Sequence, residues 1–146
     1  MNYQDVFIRE VRVNYFQTEE KLFDVREPRD VVTFVRKVLS DNSREHFVAL
    51  YLTGSHSVAS FSVISIGTAN STTVHPREVF QRAISCGATA IVICHNHPSG
   101  QLKASPEDER ATRMLKDAGA LLGIPLLDHI IVTDTGFHSM KESGPW

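Results

Sequence analysis

The side chains best suited to chemistry in this chain sit in Cys94-His95-Asn96-His97-Pro98-Ser99-Gly100 and in Ser105-Pro106-Glu107-Asp108 just after it. An extended strand sends residues i and i+2 to one face and i+1 to the other, so His95 and His97 point together while Cys94 and Asn96 point away. Ala88 to Cys94 is a short, apolar, β-branched run that reads as a buried strand ending at the histidines. Pro98 and Gly100 break it. Ser105-Pro106-Glu107-Asp108 then has the form of a helix start, with Ser at N-cap, Pro at N1 and an acid at N3, placing Asp108 in the first turn. Two imidazole nitrogens and one carboxylate suit zinc, and three protein ligands leave a fourth tetrahedral position for water, the pattern of a catalytic site.

Each part also has a plainer explanation. With seven histidines in 146 residues, a His-x-His pair arises readily by chance. Ser105 and Asp108 are accounted for as a capping box worth about 1 kcal/mol. The combination points to a metal: a buried strand delivering two histidines, a break, and an acid at a helix start. A hydrolytic metal site also needs a carboxylate to take the water's proton and return it to the leaving group. Glu45, at the start of an apolar strand, and Glu78, in the helix before the metal strand, are both candidates, and residue pattern alone does not separate them.

His95-Asn96-His97-Pro98-Ser99-Gly100 with Ser105 and Asp108 resembles the JAMM (MPN+) metalloprotease motif: His-x-His, seven residues, Ser, two residues, Asp. The form is that of bacterial RadC-like proteins. Arg44-Glu45-His46-Phe47, His75-Pro76-Arg77-Glu78 and Leu127-Asp128-His129 extend the likeness over roughly residues 25 to 146. The resemblance implies zinc on His95, His97 and Asp108, Glu45 rather than Glu78 as general base, and Ser105 as hydrogen-bond donor to the oxyanion of a tetrahedral intermediate. It implies cleavage of a peptide or isopeptide bond. It also allows a second reading, a DNA-repair or mobile-element accessory module with a structural or vestigial metal site. Asn96 departs from the Ser or Thr found between the histidines in many eukaryotic members, which bears on substrate rather than on metal. The consecutive letters His-Asn-His do not indicate an HNH nuclease, whose residues are dispersed over a ββα unit. His129, beside Asp128 in an apolar strand, reads either as an outer partner of a ligand or as a satisfied core histidine. His46, His56, His75 and His138 show no ligating spacing, and His75-Pro76 reads as helix entry.

The elements that must position these groups follow from periodicity. Val6 to Val13 alternates apolar and charged residues and reads as a first strand or an arm against a partner, within an N-terminal segment of residues 1–24 that precedes one domain over 25–146. Glu27-Pro28-Arg29-Asp30 opens a helix with an apolar stripe from Val31 to Leu39. Two strands, 45–52 and 58–66, form a hairpin through Thr53-Gly54-Ser55-His56, and Gly67 to Thr73 is a polar loop. A helix over Pro76 to Ser85, closed by Gly87, turns Val79, Phe80, Ala83 and Ile84 inward. After the metal strand, a helix from Pro106 to Leu122 buries Ala111, Met114, Leu115 and Ala118. Strands over Ile124 to Val132 and Phe137 to Met140 close the chain. This order predicts an α+β (mixed α/β) fold with a curved central sheet flanked by helices. The resemblance implies the cytidine-deaminase-like layout of the MPN domain, although the deaminase zinc signature itself is missing.

Composition narrows the classes. At 146 residues and 42% hydrophobic content, one core is expected. A net charge of −2, from 15 basic and 17 acidic residues intermixed, offers no field for autonomous nucleic-acid binding. No apolar run has the length of a membrane span and no signal peptide opens the chain, so a cytoplasmic protein is expected. Cys86 and Cys94 lie in apolar surroundings outside any Cys-x-x-Cys pattern and read as reduced core residues. Oligomeric state is not legible.

Overall fold

The structure is a computed structural model and describes residues 7–67 and 74–146. Three helices flank a mixed six-stranded sheet of order β1-β3-β2-β4-β5-β6. The strands are β1 (Phe23–Asp24), β2 (Glu45–Leu52), β3 (Ser57–Gly67), β4 (Ala90–Asn96), β5 (Leu126–Val132) and β6 (Phe137–Ser139); the helices are α1 (Pro28–Val38), α2 (Pro76–Ser85) and α3 (Pro106–Leu122). Among the described residues only β4 and β5 pair in parallel, because the α3 crossover returns the chain to the same end of the sheet. Bulges between Phe47 and Val48 and between Tyr51 and Leu52, where β2 meets β3, add local twist and curve the sheet.

Strand alternation builds two cores. On one face Val48, Leu50, Val92, Cys94 and Ile130 pack beneath Val31, Val32 and Val35 of α1. On the other, Phe47, Ala49, Tyr51, Ile91 and Ile93 meet Val79, Phe80 and Ala83 of α2 and Leu115 of α3. The central strands β2 and β4 are covered on both faces, which is why they read as continuous apolar runs. Gly119 permits the closest approach on this side: a Cβ there would lie 2.5 Å from the Ile124 carbonyl oxygen, a backbone atom with no freedom to yield.

The helix starts match the expected capping chemistry. In α1 the side chain of Asp30 accepts from the Glu27 backbone N–H, and in α3 Ser105 and Asp108 cap each other reciprocally. Gly123 ends α3 in the left-handed region, as a glycine C-cap does. Several expectations need correction. Of the two readings of residues 6–13, the strand does not form over 7–13 and the arm is untouched, with Val6 outside the described residues; the first strand among the described residues is β1, and Phe7, Ile8, Val11 and Phe16 are exposed. Gly67 belongs to β3 rather than to a loop, and residues 68–73 of that proposed loop lie outside the described residues. Ile84 and Met114 point mainly to solvent, because the inward faces of α2 and α3 centre on Ala83 and on Thr112, Leu115 and Gly119.

Candidate metal centre

The site forms where β4 ends and α3 begins. His95 is opposite Phe47 on β2 and Ile131 on β5, so it leaves the middle of the sheet, and its ring is fully buried. Cys94 faces the opposite core, as strand parity requires. His97 follows just past the strand, its backbone N–H donating to the Val132 carbonyl at 2.9 Å. Gly100, at φ 83°, then turns the chain tightly enough for its N–H to reach the His97 carbonyl. That turn brings the Gln101 carbonyl within 2.7 Å of His97 Nδ1, which must donate to it because a carbonyl only accepts. In the neutral ring His97 Nε2 is thereby left with the lone pair.

Ligand atoms of Glu45, His95, His97 and Asp108 lie within 4.8 Å of one another. His95 Nε2 and His97 Nε2 are 2.8 Å apart. Asp108 Oδ1 is 3.2 Å from His95 Nε2, and Asp108 Oδ2 is 3.2 Å from His97 Nε2. Tetrahedral zinc spaces its nitrogen and oxygen ligands about 3.3 Å apart. The His–Asp distances match that edge, and the two nitrogens need only spread by about half an ångström. Glu45 Oε1 stands further back, 3.8 Å from His95 Nε2 with its side chain 19% exposed, and its carboxylate accepts no hydrogen bond among the described residues. The donor set therefore fits a small divalent cation, with an uncommitted carboxylate beside it.

Electrostatics agree. Burial alone would raise the Asp108 carboxyl, but its contacts with His95 and His97 and the Ser105 N–H hold it well below the usual carboxylate range. The hydrogen bond to Asp108 raises His97, outweighing burial. Asp108 also sits at N3 of α3, where the helix dipole favours a negative charge.

A second layer holds these groups. Asn96, buried on the other side of β4, accepts from the His46 N–H at 2.6 Å and donates to the Arg44 carbonyl at 2.8 Å and to Asn42 at 2.7 Å. It thus clamps the backbone on both sides of Glu45. Asn96→Ala leaves the buried His46 N–H without its acceptor, while the Arg44 carbonyl keeps its contact with His46 Nδ1, and is expected to cost about 1–3 kcal/mol, read as a lower midpoint in urea unfolding; an unchanged midpoint would remove the clamp.

His129 Nε2 lies 2.6 Å from His95 Nδ1, so the ring is at once satisfied in the core and in contact with the histidine pair; it is fully buried, and burial pushes its pKa well below the ordinary value. Asp128 is taken up structurally, accepting from the His129 and Lys141 N–H groups and the Ser139 hydroxyl.

Of the residues singled out from sequence, Glu45, His95, His97 and Asp108 come together. Ser105 borders them as the α3 N-cap. Glu78 does not join the cluster; it lies in the first turn of α2. His75 caps α2 by accepting from the Arg77 N–H, and His46 bonds the Arg44 carbonyl. Cys86 and Cys94 are both free, and burial raises both thiols. No helix among the described residues is long and apolar enough to cross a membrane. Sequence reasoning overlooked Thr112 and the clamping role of Asn96.

Comparison with known proteins agrees with this arrangement. A family model described as the RadC-like JAB domain matches residues 25–145. A UPF0758 protein of Shouchella clausii is 45% identical over 130 residues, covering 88% of this chain and 56% of the relative. One from Desulforamulus reducens is 47% identical over 120 residues, covering 82% and 53%, and one from Bacillus cereus is 41% identical over 136 residues, covering 93% and 59%. The chain spans little more than half the length of these curated relatives.

Proposed function

The chain belongs to the RadC-like JAB domain family, and from that membership and the clustered donors we propose that it is a zinc-dependent hydrolase cleaving a peptide or isopeptide bond. The observation that carries the reading is the pairing of a three-ligand donor set, His95, His97 and Asp108, with a carboxylate that is close but uncommitted. A purely structural zinc site would close its fourth position with a protein ligand.

Zinc held by His95, His97 and Asp108 would act as a Lewis acid, lowering the pKa of water and polarising the scissile carbonyl. Glu45 takes a proton from the attacking water as the new C–O bond forms. It then gives that proton to the leaving nitrogen as the C–N bond breaks, so the carboxylate ends as it began. Ser105 Oγ already accepts from the Asp108 N–H, and its own proton is available to the oxyanion. Asp108 holds its position through the same capping box. The reduced cysteines fit a cytoplasmic setting.

The test is metal analysis of purified protein followed by mass-spectrometric screening of peptide and isopeptide-linked substrates. One zinc per chain is expected, with cleavage lost to a chelator and restored by zinc. No stoichiometric metal would end the reading. Zinc without cleavage across the substrate panel would favour the accessory-module alternative, in which the site is structural.

A further inference from the structure

We propose that Thr112 and His129 form a positioning relay that sets the tautomer of His95 and so presents its Nε2 lone pair to the cation. The inference rests on the zinc reading above and concerns two residues outside the ligand set.

The relay follows from counting protons. Thr112 Oγ1 lies 2.7 Å from the Asp108 carbonyl oxygen, one helical turn back, and 2.6 Å from His129 Nδ1. A hydroxyl carries one proton, and a carbonyl can only accept. Two oxygen lone pairs facing each other at 2.7 Å would repel, so the hydroxyl proton belongs to the Asp108 carbonyl. Thr112 Oγ1 must then accept from His129 Nδ1; the ring is fully buried with no carboxylate in hydrogen-bond contact with it among the described residues, so it carries that one N–H and keeps its lone pair on Nε2. His129 Nε2 is 2.6 Å from His95 Nδ1, so His95 Nδ1 is the donor in that contact. The only nitrogen of His95 left with a lone pair is Nε2, which faces His97 and Asp108.

Reversing the chain would put a proton on His95 Nε2, where the cation should be. The Asp108 carboxylate, 3.2 Å from His95 Nε2, can only accept and so favours that reversed direction; the Thr112 hydroxyl is what opposes it. The hydroxyl is itself anchored on the backbone of Asp108, so one ligand's peptide group orders another ligand's ring. Phe47 stacks on His95 and meets His129 edge-on, which leaves the two rings no room to swing out of line.

Thr112→Val keeps the branched shape and deletes the hydroxyl; Thr112→Ser keeps the hydroxyl. Long-range ¹H–¹⁵N NMR of zinc-free protein reads the His129 tautomer directly. The Nδ1–H form is expected in the native protein and in Thr112→Ser, and the Nε2–H form in Thr112→Val. Zinc affinity by chelator competition should fall about 10–100-fold in Thr112→Val and recover in Thr112→Ser. A native His129 carrying its proton on Nε2 would overturn the relay. So would a Thr112→Val protein that binds zinc like the native one, or a Thr112→Ser protein as weak as Thr112→Val, since packing rather than the proton would then be responsible. Failure of the native protein to bind zinc would instead strike the hydrolase reading, and the tautomer measurement would still decide the relay.

Discussion

Glu45→Gln is expected to lower turnover of a cleavable substrate by about 10²–10⁴-fold while zinc stays bound at one per chain. The amide keeps the size of the carboxylate and cannot take a proton from water, so the loss should fall on kcat rather than on KM. Zinc retention follows from geometry, since Glu45 stands 3.8 Å from His95 Nε2 while Asp108 lies at 3.2 Å. Glu78→Gln is the control: Glu78 is on α2 outside the cluster, and its replacement should leave turnover within about twofold, well below the effect of a lost general base. Native turnover in Glu45→Gln would take the base role away from it.

His97→Ala should abolish stoichiometric zinc binding, weakening affinity by more than the about 10–100-fold that losing an outer partner costs. In the native protein, zinc at a hundredfold excess over Kd should stabilise the fold by about 2.7 kcal/mol. For a chain of this size that is a rise of roughly 5–10 °C in Tm, and His97→Ala should show none of it. pH supplies an independent check. The folded zinc-free protein raises His97 above 6.5, so that contribution to stability is complete below pH 6.5 and is lost as pH rises through the folded value. Asp108 is depressed from 3.8, so its contribution is present above pH 3.8 and is lost as pH falls through its folded value. Zinc-free protein should therefore gain most from this pair between those limits. Zinc binding runs the other way: the cation displaces the His97 proton, so affinity should climb about tenfold per pH unit until His97 is deprotonated, then level off. A pH-independent zinc affinity would remove His97 from the ligand set.

The parts of the site legible in sequence depend on local geometry. Strand parity places His95 and His97 together and turns Cys94 away, and the Ser-Pro-Glu-Asp start of α3 delivers Asp108. Sheet covering is equally readable, since β2 and β4, buried on both faces, are continuous apolar runs. Contacts set by tertiary pairing were not legible. Glu45 and Glu78 are equivalent as letters; they separate because β2 pairs with β4 in a register that puts Phe47 opposite His95. The His129 contact with His95 bridges 34 positions, and the Thr112 contact with His129 bridges 17. No spacing rule reaches that far. Ile84 and Met114 look like core by helical period, yet the period gives a stripe without saying where the sheet beneath it ends.

The position of β4 between β2 and β5 has a consequence for motion. His95 can leave its place only if the middle of the sheet separates, an event whose free energy approaches that of global unfolding. Glu45 is the first residue of β2, its flanking backbone clamped by Asn96 and its part-exposed carboxylate without a hydrogen bond among the described residues, so its side chain rather than its backbone is the part that can move. The centre therefore combines a static half, which keeps the cation, with a half free to adjust on a faster timescale, which is what a group that must accept a proton and then release it to a different atom requires.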